Sequence, residues 1–135
     1  MTLDVATIAR KLRAKGVELR EPASAEEVKQ FEQDMGLTLD PFFRRIYSQF
    51  NGFIDGDIDI ELWPLKRILE ERRNTVERGR ERYFAIGDFM LDADFLMCCL
   101  TREVAPIFHR GAPEDLAPTA SKLFAKLIAG EDLYS

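Results

Sequence analysis

A chain of 135 residues, 46% hydrophobic and 32% charged, is long enough for one domain with a real core and too apolar to be disordered. Its 19 basic and 24 acidic side chains leave a net charge of −5, which disfavours phosphate backbones and mildly favours basic partners. The scattered charges from Asp4 to Lys15 argue against a signal peptide, and no uncharged run approaches the ~20 residues of a membrane helix, so the expectation is a cytoplasmic protein that engages neither membrane nor nucleic acid.

Between Leu3 and Lys15, Val5, Ile8, Ala9 and Leu12 recur at helical spacing, and Gly16 stops the run. Val17 to Arg20 alternates as a short edge strand would. Ser24-Ala25-Glu26-Glu27 has the form of a capping box, in which the serine hydroxyl serves the third amide and the glutamate reaches back to the cap. Val28, Phe31 and Met35 then make a buried stripe, and Gly36 supplies the left-handed residue that ends the helix. Asp40-Pro41 opens the next helix, with Asp as cap and Pro where its missing N–H costs nothing. Phe43, Ile46, Tyr47 and Phe50 share one face, and Asn51-Gly52 terminates it.

Asp55, Asp57, Asp59 and Glu61 alternate with Ile58, Ile60 and Leu62, which predicts one strand with an acidic and an apolar face, closed by Pro64. Leu65, Ile68, Leu69 and Val76 trace a narrow stripe, read as a helix to about Arg78. Tyr83 to Ile86 reads as a strand ending at a Gly87-Asp88 bend. Phe95 to Leu100 is apolar on both sides, as a central strand is, so its adjacent Cys98 and Cys99 point to opposite faces and read as buried free thiols. Val104 to His109 is a further strand, Gly111 to Asp115 a loop, and Ala120, Leu123, Phe124, Leu127 and Ile128 a helix ended by Gly130. Helices first, then strands broken by one helix, then a last helix: that order predicts a single α+β domain over residues 1–135 with a largely antiparallel sheet.

Residues 51–63 carry four acids and no base, and residues 83–101 add Asp88, Asp92 and Asp94, again without a base. Were the strands to bring these segments together, seven carboxylates would share one region and could steer a basic partner, with a steep dependence on salt. Each candidate has a plainer reading. The D-x-D-x-D spacing at Asp55, Asp57 and Asp59 suggests calcium, but Ile60 and Lys66 stand where an EF-hand loop needs glycine and glutamate, so no metal is expected. Trp63 suits either a core anchor or an exposed hot spot. Asp88 is a turn-capping residue or, in a minor reading, a hydrolase carboxylate. His109, the single histidine, has no assignable nucleophile or metal cluster around it, and no Walker or G-x-S-x-G pattern occurs. The Arg72 to Arg82 stretch could touch nucleic acid, but its four interspersed glutamates, counting from Glu70, favour a solvated helix.

In chain order, Ser24, Glu26, Glu27, Phe31 and Glu32; Leu39; Phe50-Asn51-Gly52; Leu62-Trp63-Pro64-Leu65; Ile86-Gly87-Asp88; and Leu123, Phe124, Leu127 and Ile128 form an ordered set that resembles the SUKH superfamily. These are small domains of the yeast Smi/Knr cell-wall-regulator type and bacterial toxin-immunity proteins. The likeness covers residues 17–130; Asp40 stands where the family usually has proline after leucine, and Pro41 restores the helix start. The resemblance implies a non-enzymatic binding fold without cofactor. Its bacterial members are often immunity proteins, and the clustered acids favour that role here: neutralising a cognate toxin, of nuclease type, through a surface formed by Asp55, Asp57, Asp59, Glu61, Trp63, Asp88, Asp92 and Asp94. The alternative is a regulatory scaffold of the yeast type. Fold does not name the partner, so both stand at this point.

Overall fold

Five helices and eight strands lie along the described residues of the computed structural model, which are 4–57, 59–89, 94–111 and 114–130. The first helix, α1 (Val5–Ala14), is capped by Asp4, whose carboxylate accepts the Thr7 N–H, and it buries Val5, Ile8, Ala9 and Leu12. A two-residue edge strand, β1 (Glu18–Leu19), leads to α2 (Ala25–Met35). There the capping box between Ser24 and Glu27 is complete in both directions, and Gly36 closes the helix at φ 70°. Asp40 caps α3 (Pro41–Gln49) by accepting the Phe42 N–H.

The strands are β2 (Phe53–Asp55), β3 (Ile60–Leu62), β4 (Thr75–Arg78), β5 (Glu81–Phe89), β6 (Asp94–Cys98), β7 (Ile107–His109) and β8 (Asp115–Ala117), with α4 (Leu65–Glu70) between β3 and β4. Every pairing is antiparallel, in the order β1-β2-β3-β5-β6-β7-β8. The long β5 serves two partners along one edge: β4 pairs with its first half, from Glu81 to Phe84, and β3 with its last three residues, Gly87 to Phe89. The last helix, α5 (Ala120–Ala129), brings Phe124 into an aromatic group with Phe42, Phe50 and Phe53, its ring centroid 5.9–6.5 Å from theirs. Burial of these rings supplies much of the apolar driving force that holds α3 and α5 to β2.

Four expectations are corrected. The alternating segment from Asp55 to Leu62 is a hairpin: β2 ends at Asp55, a turn follows, and β3 begins at Ile60, while Ile58 lies outside the described residues. The helix from Leu65 stops at Glu70, because no apolar residue lies between Leu69 and Val76 to continue a buried stripe. The arginine-rich remainder is a β-hairpin of β4 and β5, turning at Gly79 with φ 68°. Gly87-Asp88 is no bend but lies inside β5, where the register shifts between Ala85 and Gly87 as at a bulge. Asp115, read as loop, opens β8.

Candidate functional site

Three short signals scattered through the sequence meet around Trp63. Its backbone N–H donates to the Ile86 carbonyl at 2.8 Å, its carbonyl accepts the Tyr47 hydroxyl at 3.2 Å, and its indole N–H donates to Asp88 Oδ2 at 2.6 Å. Burial pushes the Tyr47 phenol well above its ordinary pKa, so it stays a donor. Pro64 offers α4 no side-chain cap; Asn51 supplies one from a distance, its Oδ1 accepting the Leu65 N–H at 2.9 Å. Gly52 (φ 93°) sits so close beneath that a Cβ there would lie 2.5 Å from the Leu62 carbonyl oxygen. Gly87 is tighter still: its Cβ would fall 2.3 Å from the Glu61 carbonyl oxygen. Phe50-Asn51-Gly52, Leu62-Trp63-Pro64-Leu65 and Ile86-Gly87-Asp88 are thus one packed junction. The spacing of each piece in sequence gives no sign of this.

Above the junction lies the outer face of the sheet. Glu61 and Asp88 stand directly opposite each other in the β3–β5 register. Arg20 binds Glu61 Oε2 at 2.5 Å and the Leu62 carbonyl at 3.0 Å. Arg67 spans the pair, 3.4 Å from Glu61 Oε1 and 3.5 Å from Asp88 Oδ2, with its guanidinium carbon 4.3 Å above the Trp63 ring. Phe95, opposite Asp88 in β6, packs edge-on to Trp63 at 5.5 Å, and Arg110 lies 5.8 Å over Phe95. Trp63 itself is fully buried, so it is the floor of this face and not an exposed hot spot.

The described acids of this set do not share one face. Pairing puts Asp88 and Phe95 on one face, so the neighbouring Asp94 points to the other. There it faces His109 Nδ1 at 3.3 Å and accepts the Gly111 N–H at 3.1 Å; His109 in turn stacks on Phe89. Asp55, opposite Ile60, is likewise on the face away from Glu61 and is only 2% exposed. One of its oxygens accepts the Asp57 N–H at 3.1 Å, while the other has no hydrogen-bond partner and lies 4.0 Å from Lys15 Nζ. Lys15 also donates to the Leu127 carbonyl, which ties α1 and α5 to this corner. A residue so buried cannot meet a partner, and Asp55 leaves the docking set. Asp57 is exposed in the β2–β3 turn beside a half-buried Asp59 at φ 53°. Asp92 lies outside the described residues.

The arginines were the missed participants. Arg20 follows the short edge strand β1 and Arg67 comes from a charged helix, so no local pattern links them to acids some forty and six residues away. Elsewhere, Met35, Leu37, Phe84 and Leu100 floor an open groove of about 370 Å³ between the end of α2 and the β4–β5 hairpin. At its rim Arg102 and the Cys99 thiol hydrogen-bond the Glu81 carboxyl and hold it below the ordinary carboxylate range. Among the described residues no group of three or more His, Cys, Asp or Glu side chains is placed to hold a metal ion. No helix among them is long and apolar enough to cross a membrane.

The model of the SMI1 / KNR4 family (SUKH-1) matches residues 22–126, from the approach to α2 into α5. No curated protein matches the chain.

Proposed function

The chain belongs to the SMI1 / KNR4 family (SUKH-1), and on that premise we propose that it is a non-enzymatic protein-binding domain of the bacterial immunity type, neutralising a cognate toxin of basic, nuclease-like character. The observation that carries this reading is the outer sheet face at Glu61 and Asp88: two carboxylates on a rigid sheet, held in place by Arg20 and the Trp63 indole and reachable from solvent. A nuclease site is basic because it must hold phosphates, and carboxylates at fixed spacing mimic them. The exposed Asp57 in the adjoining turn extends the field. Among the described residues, the acids that support this surface are Glu61, Asp88, Asp57 and Asp59. Long-range steering by so few charges, partly offset by two arginines, is modest. Affinity would come from fit at the sheet face more than from net charge.

The test is to look for a secreted toxin encoded beside this chain and, where one is found, to co-purify its toxin domain with it. A stoichiometric complex that abolishes toxin activity is expected, with association slowing as salt rises. The combined variant Asp57→Asn, Glu61→Gln and Asp88→Asn should weaken it by at least about tenfold. Unchanged binding by that folded variant would sink the assignment of the face. Complexes with host regulatory proteins in place of a toxin would instead support the scaffold reading.

A further inference from the structure

We propose that Glu61, Asp88 and the ring of Trp63 form a socket for an arginine of the partner, and that Arg67 plugs it in the free chain. This deepens the reading just given and rests on it. Like charges directly opposite on neighbouring strands are destabilising, so a sheet that sets Glu61 against Asp88 requires a cation between them. Two acids are not the whole of the site. A guanidinium already lies across them and over an indole, so the face displays the chemistry of its ligand in cis.

The plug is loosely seated, whereas the socket is firmly built. Glu61 is fixed by Arg20 at 2.5 Å and Asp88 by the Trp63 N–H at 2.6 Å, so neither carboxylate depends on Arg67 for its orientation. Both acid side chains are only 15% exposed. Arg67, by contrast, is 44% exposed and approaches its two acceptors at 3.4 and 3.5 Å, well beyond the ~2.7–2.9 Å of a tight charge-assisted bond. Arg67 is anchored on α4, so the fixed position of that helix constrains the approach of its side chain. An arginine entering from a partner is free of that constraint. Its planar fork can reach both carboxylates at normal distance while stacking on the indole, which a lysine cannot do. Displacing Arg67 into water costs little, because exposed ion pairs of this kind contribute ~0–1 kcal/mol.

The indole N–H of Trp63, the chain's single tryptophan, reports on the socket directly in a nitrogen–proton NMR spectrum. N-acetyl-arginine methylamide is titrated into the wild-type chain, Arg67→Ala, and Arg67→Ala with Asp88→Asn. The single variant should bind roughly threefold to fivefold more tightly than wild type, as removal of a ~1 kcal/mol competitor allows, and the double variant should lose that binding. N-acetyl-lysine methylamide should bind Arg67→Ala several-fold more weakly. Arg67→Gln repeats the test with a side chain of similar reach, should Arg67→Ala melt at a lower temperature. No movement of the indole signal in either folded variant, or equal binding by wild type, overturns the socket. No partner protein is used, so that failure leaves the protein-binding reading standing. Conversely, a neutral result in the co-purification would not alter this titration.

Discussion

Gly87 tests whether the junction beneath the site is as tight as its geometry requires. Its φ is not positive, so alanine meets no backbone penalty there, and any cost must come from contact alone. The added Cβ would lie 2.3 Å from the Glu61 carbonyl oxygen and 3.4 Å from Leu62 Cα, against an ordinary limit near 3.0 Å. The obstacle is backbone in a paired strand, so relief means moving β3 off β5 by roughly 0.7 Å or more. Overpacking of this kind costs about 1–3 kcal/mol, and weakening one ladder bond adds about 1 kcal/mol. Gly87→Ala should therefore lose about 2–4 kcal/mol in urea unfolding followed by Trp63 fluorescence, which for a domain of this size lowers Tm by roughly 10 °C. Gly56 is the internal control: it lies in the β2–β3 turn, its φ is also not positive, and a Cβ would meet nothing within 4 Å. Gly56→Ala should be neutral or stabilise by up to ~1 kcal/mol through the unfolded chain. Equal stabilities for the two variants would refute the reasoning.

Trp63→Phe removes the indole donor from Asp88, and should cost about 2–3 kcal/mol; a cycle with Asp88→Asn should recover at least ~1 kcal/mol of that as coupling. Glu81 is held below its ordinary pKa by the Arg102 hydrogen bond and then by the Cys99 thiol. A depressed carboxyl contributes stability above its unfolded pKa and loses it as pH falls through the folded value, so Glu81→Gln should lower Tm at about pH 6, with the difference shrinking as pH falls below the ordinary carboxylate range. Equal Tm values for the two proteins at about pH 6 as well as in acid would show that the contact is without consequence. Both cysteines are buried and burial pushes the Cys98 thiol well above its ordinary pKa, so a thiol reagent at about pH 8 should label neither in the native chain and both in urea.

The helices were legible because their signals are local. A capping box spans four residues, a left-handed glycine ends the run it belongs to, and an apolar stripe at helical spacing needs no knowledge of what covers it. Ser24 with Glu27, Gly36, Asp40-Pro41 and Gly130 each acted as read. The turns between strands were less legible. The period of two in Asp55, Asp57, Asp59 and Glu61 is the same for one long strand as for two strands whose turn happens to preserve the alternation. Only pairing decides between them, and it put Asp55 opposite Ile60. The charged stretch after Leu69 failed for a related reason: interspersed arginine and glutamate suit a solvated helix face and also the exposed side of a hairpin. Thr75-Val76 with Gly79 favoured the hairpin, but Tyr83 and Phe84 had to be known as their partners.

Net charge along a segment is an equally poor guide to the charge of a surface. Two stretches without a single base predicted an acidic face, yet strand alternation sent Asp94 and Asp55 to the opposite side, and register placed Arg20 and Arg67 against Glu61. What the face lost in charge it gained in definition. A broad acidic field attracts any cation and holds none in particular, whereas two carboxylates fixed by separate donors over a buried indole prefer one planar group at one angle. The motifs that carry the family resemblance build the floor of that arrangement, through Asn51, Gly52, Trp63 and Gly87, and Asp88 supplies one of its carboxylates. Glu61, Arg20 and Arg67 lie outside those motifs. If the proposed socket is the docking site, Glu61 and the arginines beside it distinguish its upper face from the floor that the motifs build.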